Sequence, residues 1–318
     1  MVDKKIIELF RVIPGVKIKL SAYDPGWVGD KKMQKLGEGV ARQRAMELLE
    51  KERGVLGEAQ GKLYANDQYA VLLILQGVAG AGLDEVVKHV MTGVNPQGCQ
   101  VKSFGKSSTE ELDHDFLWRY TRALPERGRI GIFNGSYYDE VLTSRVNPEV
   151  LRREKLPQFS SQIPTLQSGG AEGKGSINKA FWKDRYKSIN NFEGHLIRNG
   201  MVMMKIFLNI SKEEQRKRMM EMIGDPAQRW RFSPAELEQR KAWDQYLEAY
   251  EETISSTSTQ GAPWYVIPAD HRWVANAMVA DILTDVILEL GVDYPKLSED
   301  KQKDLQAARG KLENEVEQ

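Results

Sequence analysis

The chain has 318 residues, with 45 lysines and arginines against 45 aspartates and glutamates, and one cysteine, Cys99. A net charge of zero argues against a nucleic acid or a membrane surface held by bulk charge, and a single cysteine excludes an intramolecular disulfide. No apolar run reaches the ~20 residues of a membrane span or forms an N-terminal signal segment, so the expectation is a soluble, cytoplasmic, globular protein.

Residues 1–30 read as an arm of short apolar runs broken by Pro14, Gly15, Pro25 and Gly26. From Lys31 to Ala65, Met33, Leu36, Val40, Ala41, Ala45 and Leu48 recur at helical spacing. Ala70 to Leu75 is an uninterrupted apolar run, the pattern of a parallel strand buried on both faces. A glycine-rich turn follows, then a helix from Asp84 to His89. Turn residues Gly93 to Gly98 lead into a second strand, Cys99 to Phe104. Ser108 and Glu111 form a capping box, and Leu112, Phe116, Tyr120 and Leu124 make one helical stripe closed by Pro125 and Gly128. Arg129 to Asn134 is a third strand, followed by a helix within GSYYDEVLTSRV. Gln158 to Ser176, rich in Gly, Ser and Gln, has the composition of a mobile loop. Met201 to Ile210 is a fourth strand, and Ser211 with Glu214 caps the next helix as another box. Trp264 to Pro268 is a fifth strand, and His271 to Leu290 a long amphipathic helix ended by Gly291. The tail from Ser298 is nearly all polar, either a solvated helix or disordered.

Strands alternating with helices predict an α/β fold with a five-stranded parallel sheet and helices on both faces. Ligands of such sheets bind beyond the carboxyl ends of the strands. There lies Gly77-Val78-Ala79-Gly80-Ala81-Gly82, a strand–glycine loop–helix frame of the kind that binds phosphate through backbone N–H groups and a helix N-terminus. A working P-loop continues Gly-Lys, the lysine neutralising the β and γ phosphates; here that position is Leu83. The frame alone is weak, since a glycine turn between strand and helix also serves simple chain reversal.

A wider set of stretches narrows the reading. LQGVAGAG, KHVMTGVNPQGCQV, SFGKSSTEELDHDFLWR, ALPERGRIGIFNGSYYDEVL, INNFEGHL, FLNISKEEQRKR, WRFSPAELEQRKAWDQYLEAYEE and TSTQGAPWYVIPADHRW together resemble the polyphosphate kinase 2 family. The resemblance runs from about Tyr23 to Pro295, most of the chain. It implies a thymidylate-kinase-like P-loop fold with a helical lid over about Arg216 to Trp243. It also implies phosphoryl transfer between inorganic polyphosphate and nucleotides, Mg²⁺ as cofactor, and a homo-oligomer, dimer or tetramer. The implied organisation is an N-terminal arm and helix to residue 65, a kinase-like domain over 66–295 and a polar tail over 296–318.

Three departures accompany the match. Where the family has the loop Asp, the loop Lys and the Arg after the third strand, this chain has Ala79, Leu83 and Gly135. Those charged groups position metal and phosphates in the family, so the loop reads as a degenerate Walker A, impaired catalysis is expected and no metal site is intact. Asn134, Ser136, Tyr137 and Tyr138 are kept. Asp84 is the candidate substitute for the missing carboxylate, although an acid in a first helical turn is also an ordinary dipole partner. Lys88 and Lys106 read as exposed lysines. Gly77, Val78, Gly80, Ala81, Gly82 and Asn134 remain candidates for phosphate binding. Arg119, Arg122, Arg145, Lys205, Arg229 and Arg231 match basic family positions or lie near them, and are candidates to line a channel for an anionic chain. Trp230 between two arginines reads as lid packing. Asp113-His114-Asp115 resembles a metal cluster, but adjacent helical residues point apart and cannot converge. The alternative to an active enzyme is a non-catalytic polyphosphate- or nucleotide-binding partner that regulates an active homologue.

Overall fold

The computed structural model describes residues 4–156 and 177–315; the whole glycine- and serine-rich stretch Gln158 to Ser176 therefore lies outside the described residues. Helix α1 (Lys4–Phe10) leads into an arm, followed by α2 (Lys31–Leu36) and the long α3 (Glu38–Asn66). The alternating core comprises β1 (Ala70–Gly77), α4 (Leu83–Val90), β2 (Cys99–Ser103), two single-turn helices α5 (Thr109–Leu112) and α6 (Trp118–Thr121), β3 (Ile130–Asn134), α7 (Asp139–Val146), α8 (Glu149–Arg153) and α9 (Lys179–Arg198). It continues with β4 (Met201–Asn209), α10 (Lys212–Gly224), a 3-10 turn at Arg229–Arg231, α11 (Pro234–Lys241), α12 (Trp243–Thr257), β5 (Trp264–Pro268) and α13 (Arg272–Leu288), and α14 (Glu299–Glu315) closes the chain.

All five strands are parallel, in the order β2-β3-β1-β4-β5. Successive strand residues face opposite sides, and every residue from Ala70 to Gln76 is buried, so both faces of β1 are covered. One group of helices is α4 and α13 with α3 packed outside α13; the other is α7, α9 and α12 packed on one another. The arm is pinned to the β5 edge, where Val12 N–H donates to the Trp264 carbonyl at 2.8 Å and Arg11 pairs antiparallel with Tyr265. Capping an open edge in this way removes a template for unwanted strand pairing.

Several expectations change in three dimensions. The helix predicted from Lys31 to Ala65 is interrupted at Gly37, whose φ of 87° caps α2. The stripe from Leu112 to Leu124 is two short helices, because Asp115 Oδ1 accepts the Leu117 N–H at 2.9 Å and turns the chain between them. The Ser108–Glu111 capping box is complete. At Ser211 only half a box forms: Ser211 Oγ accepts from Glu214 N–H, but the Glu214 carboxylate turns to Arg218 Nε at 2.8 Å. Helix α13 is not amphipathic. Val274 through Thr284 are all buried, because α3 covers the side turned away from the sheet. The tail's α14 has no buried residue and is a solvated helix. No helix among the described residues is long and apolar enough to cross a membrane.

Candidate phosphate-binding site

The strand order places the carboxyl end of β1 between those of β3 and β4, where chain connections diverge. Leu75 is in register with Asn134 on one side, and Gly77 with Leu208 on the other. The glycine loop leaves from this point. A Cβ at Gly77 would stand 2.5 Å from Ala81 Cβ, so only glycine lets the loop fold back on itself. Gly80 and Gly82 have φ of 81° and 92°, and Gly82 is the residue preceding α4. The first-turn N–H groups of α4 have no intrahelical acceptor.

The loop is held through its carbonyls by α10. Gln215 Nε2 donates to Ala79 O at 2.8 Å, and Arg218 Nη1 donates to Ala81 O at 2.8 Å and Gly80 O at 3.2 Å. Both side chains are buried. Arg218 also reaches the Ala269 and Asp270 carbonyls and pairs with Glu214. Holding these carbonyls on α10 fixes the conformation of the loop.

A cleft of about 470 Å³ opens over the loop. Its charged walls are Asp84, Glu85, Asp139, Glu221 and Glu236 against Arg218, Arg231 and Arg272; among the described residues no lysine lines it. Every one of these arginines already meets a carboxylate of the chain. Arg231 pairs with Asp84, and Arg272 bridges Glu85 at 2.7 Å and Glu221 at 3.3 Å. Asn134 Nδ2 donates to Asp84 Oδ1, so the loop and the end of β3 face one another across the cleft. Asp139 stands at the cleft floor. With the Gln76 amide oriented to satisfy both ends, Gln76 donates to Asp139 Oδ1 at 3.3 Å and accepts from Ser136. Burial, then the neighbouring Glu140, push the Asp139 carboxyl up to about 6.

The comparisons with known proteins agree on one family. The family model described as Polyphosphate kinase 2 matches residues 40–172 and 170–293. The chain belongs to the polyphosphate kinase 2 family. It is 45% identical over 266 residues to an ADP-polyphosphate phosphotransferase of Rhodopseudomonas palustris, covering 84% of this chain and 87% of that one. It is 37% identical over 287 residues to an AMP/ADP-polyphosphate phosphotransferase of Meiothermus ruber, covering 90% and 95%. The crystal structure of polyphosphate kinase 2 from Arthrobacter aurescens superposes with a TM-score of 0.76 at 32% identity, over 95% of this chain and 96% of that one.

Within this polyphosphate kinase 2 fold the basic residues singled out from sequence scatter. Arg231 lines the loop cleft. Arg119 and Arg122 line a separate surface depression beside β2, with Arg119 bound to Glu140 at 2.9 Å and Arg122 facing Glu110 at 3.7 Å over the Trp118 ring. Arg145 is taken up by Glu252 and by Tyr186 at 3.1 Å. Arg229 lies on the same 3-10 turn as Arg231 but does not line the cleft. Lys205 lines no channel: it is wholly buried, donating to Glu193 Oε2 at 2.7 Å, the Thr257 carbonyl at 2.7 Å and Tyr138 Oη at 3.0 Å. Trp230 is 79% exposed, with its Nε1 donating to the Ala227 carbonyl at 2.9 Å, so its ring faces solvent instead of packing. His114 stacks on Trp118 at 3.8 Å instead of joining a metal cluster.

Gln215, Arg218, Arg272 and Asp139 were not singled out from sequence. For Gln215 and Arg218 a signal existed: they lie in the first two turns of a helix that starts at the carboxyl end of the strand beside β1.

Mg²⁺ is the metal this family uses. The carboxylates the cleft offers it are Asp84, Glu85, Asp139, Glu221 and Glu236. Among the described residues no group of three or more His, Cys, Asp or Glu could hold a metal. Both Asp84 oxygens are engaged, by Asn134 and Arg231.

Proposed function

We propose that this protein binds inorganic polyphosphate and the phosphates of nucleotides at the Gly77–Gly82 loop, with phosphoryl transfer between them strongly impaired. The loop is read as a degenerate Walker A. The observation that carries the proposal is the charge inventory of the cleft: Leu83 stands at the head of α4, no lysine among the described residues lines the walls, and the lining arginines are paired internally. Phosphoryl transfer rests on positioning and electrostatic stabilisation. Removing one stabilising donor costs about 10²- to 10³-fold in rate, and a transition-state arginine is worth about 10³ to 10⁵. Three such groups are read as missing, at Ala79, Leu83 and Gly135, and their losses do not simply add.

A phosphotransfer assay with polyphosphate, Mg²⁺ and each nucleoside mono- and diphosphate tests this directly. The expected turnover is at least about 10³-fold below that of an ordinary relative measured alongside. Comparable turnover would overturn the proposal and turn attention to Asp84 or Asp139 as the acting carboxylate.

The support beneath the cleft favours a second reading, a binding partner that regulates an active homologue by co-assembly. Ser136, Tyr137 and Tyr138 are buried, and both tyrosine hydroxyls donate to Glu193, at 2.8 and 2.6 Å. A packed scaffold under a cleft without catalytic charge suits binding more than chemistry. This reading includes a dimer or tetramer; a solution mass of 36.1 kDa at micromolar concentration would count against it.

A further inference from the structure

The position of Arg231 is set by a residue of the loop helix. Its guanidinium donates to Asp84 Oδ2, while Asp84 Oδ1 accepts from Asn134 on β3. A single carboxylate thus ties the segment between α10 and α11 to the end of the sheet. Both partners line the cleft over the glycine loop. The fork of an arginine that holds a carboxylate is the same fork that holds two phosphate oxygens, so one guanidinium cannot fully serve both. The Asp84 side chain is 56% exposed and that of Arg231 33%. An ion pair so open to water is weak and exchangeable.

We infer that Asp84 is an internal competitor for the anion: its carboxylate occupies Arg231, and an incoming phosphate chain must take Arg231 from it. The inference rests on the reading of the cleft as a phosphate site. It assigns Asp84 a role opposite to that of a metal-holding carboxylate, which would help the anion bind. The chain then regulates its own affinity, low while Arg231 is paired and raised when the pair opens.

The test is calorimetric titration of inorganic polyphosphate of one chain length into the full chain, at low ionic strength and without Mg²⁺. Wild type, Asp84→Asn, Arg231→Gln and the double variant are compared. Both side chains face water, so neither substitution disturbs the core. Asp84→Asn is expected to bind about three- to tenfold tighter than wild type. Arg231→Gln is expected to bind more weakly, and adding Asp84→Asn to it should change affinity less than about twofold. An Asp84→Asn affinity equal to or below wild type would overturn the inference and leave the phosphate site standing. So would an equal gain in both backgrounds, which would mean simple removal of a repelling charge. Polyphosphate binding to none of the four proteins would overturn the site reading itself, and the inference with it.

Discussion

Arg218 Nη1 and the Ala81 carbonyl stand 2.8 Å apart, joining the buried side of α10 to the middle of the glycine loop. The same side chain holds Gly80 and the residues after β5, so the loop, α10 and the start of α13 meet at one guanidinium. Its charge is balanced by Glu214 at 2.8 Å.

Arg218→Ala leaves Glu214 with the longer Lys217 contact at 3.7 Å and takes a donor from the buried Ala81 and Ala269 carbonyls. Breaking a buried pair from one side costs about 3–5 kcal/mol, and urea unfolding should read a loss of that size. Polyphosphate affinity should fall even where the variant is fully folded, because the loop loses its anchor. A stability loss under about 1 kcal/mol would show that the loop does not depend on Arg218.

Asp139 gives the protein a pH dependence of defined sign. Its carboxyl is raised from 3.8 to about 6 by burial. Between those values the folded state keeps a proton that the unfolded state has lost. Stability is therefore highest below the unfolded value and falls as pH rises through about 6, by about 2–3 kcal/mol from this residue. Asp139→Asn should be more stable than wild type at pH 8 and little changed at pH 4. Parallel stability–pH curves for the two proteins would exclude this assignment.

Gly135 adjoins the same carboxylate. A Cβ placed there would lie 3.0 Å from Asp139 Oδ2, at a backbone φ of 72°. Gly135→Arg should therefore lower the Asp139 pKa from about 6 toward the ordinary range, at a backbone cost of about 1–3 kcal/mol. A carbon-detected titration of the Asp139 carboxyl checks the shift, and an unchanged midpoint would show that the new guanidinium points elsewhere.

Restoring all three charges is the sharpest test of the catalytic reading. Ala79→Asp, Leu83→Lys and Gly135→Arg together should raise phosphoryl transfer by about 10³-fold or more, while each alone changes it little, since groups that act as a unit are non-additive. A single substitution that recovered most of the turnover would show that one charge limits the reaction.

Lys205 and Glu193 form a buried pair, and burial lowers the Lys205 pKa against the opposing pull of Glu193. Lys205→Met should cost about 3–5 kcal/mol, and Lys205→Met with Glu193→Gln less, because glutamine removes the stranded charge while its Oε1 still accepts from Tyr137 and Tyr138. Polyphosphate affinity of the folded single variant should equal that of wild type. A drop would return Lys205 to the anion channel.

The strands were legible in the sequence because burial on both faces leaves an uninterrupted apolar run, as at Ala70 to Leu75 and Ile130 to Phe133. The Gly77–Gly82 loop was legible because left-handed backbone and close approach call for glycine. The family was carried by long stretches that span most of the fold. The destination of each charge was not legible. Lys205, Arg145 and Arg231 look alike in sequence, yet one is buried with Glu193, one meets Glu252 and one faces Asp84 across the cleft. Arg231 and Asp84 are 147 residues apart in the chain. A local pattern fixes which way a side chain leaves its helix or strand, through the periods of the backbone. Which acid it meets depends on how distant elements pack, and only the tertiary structure decided that.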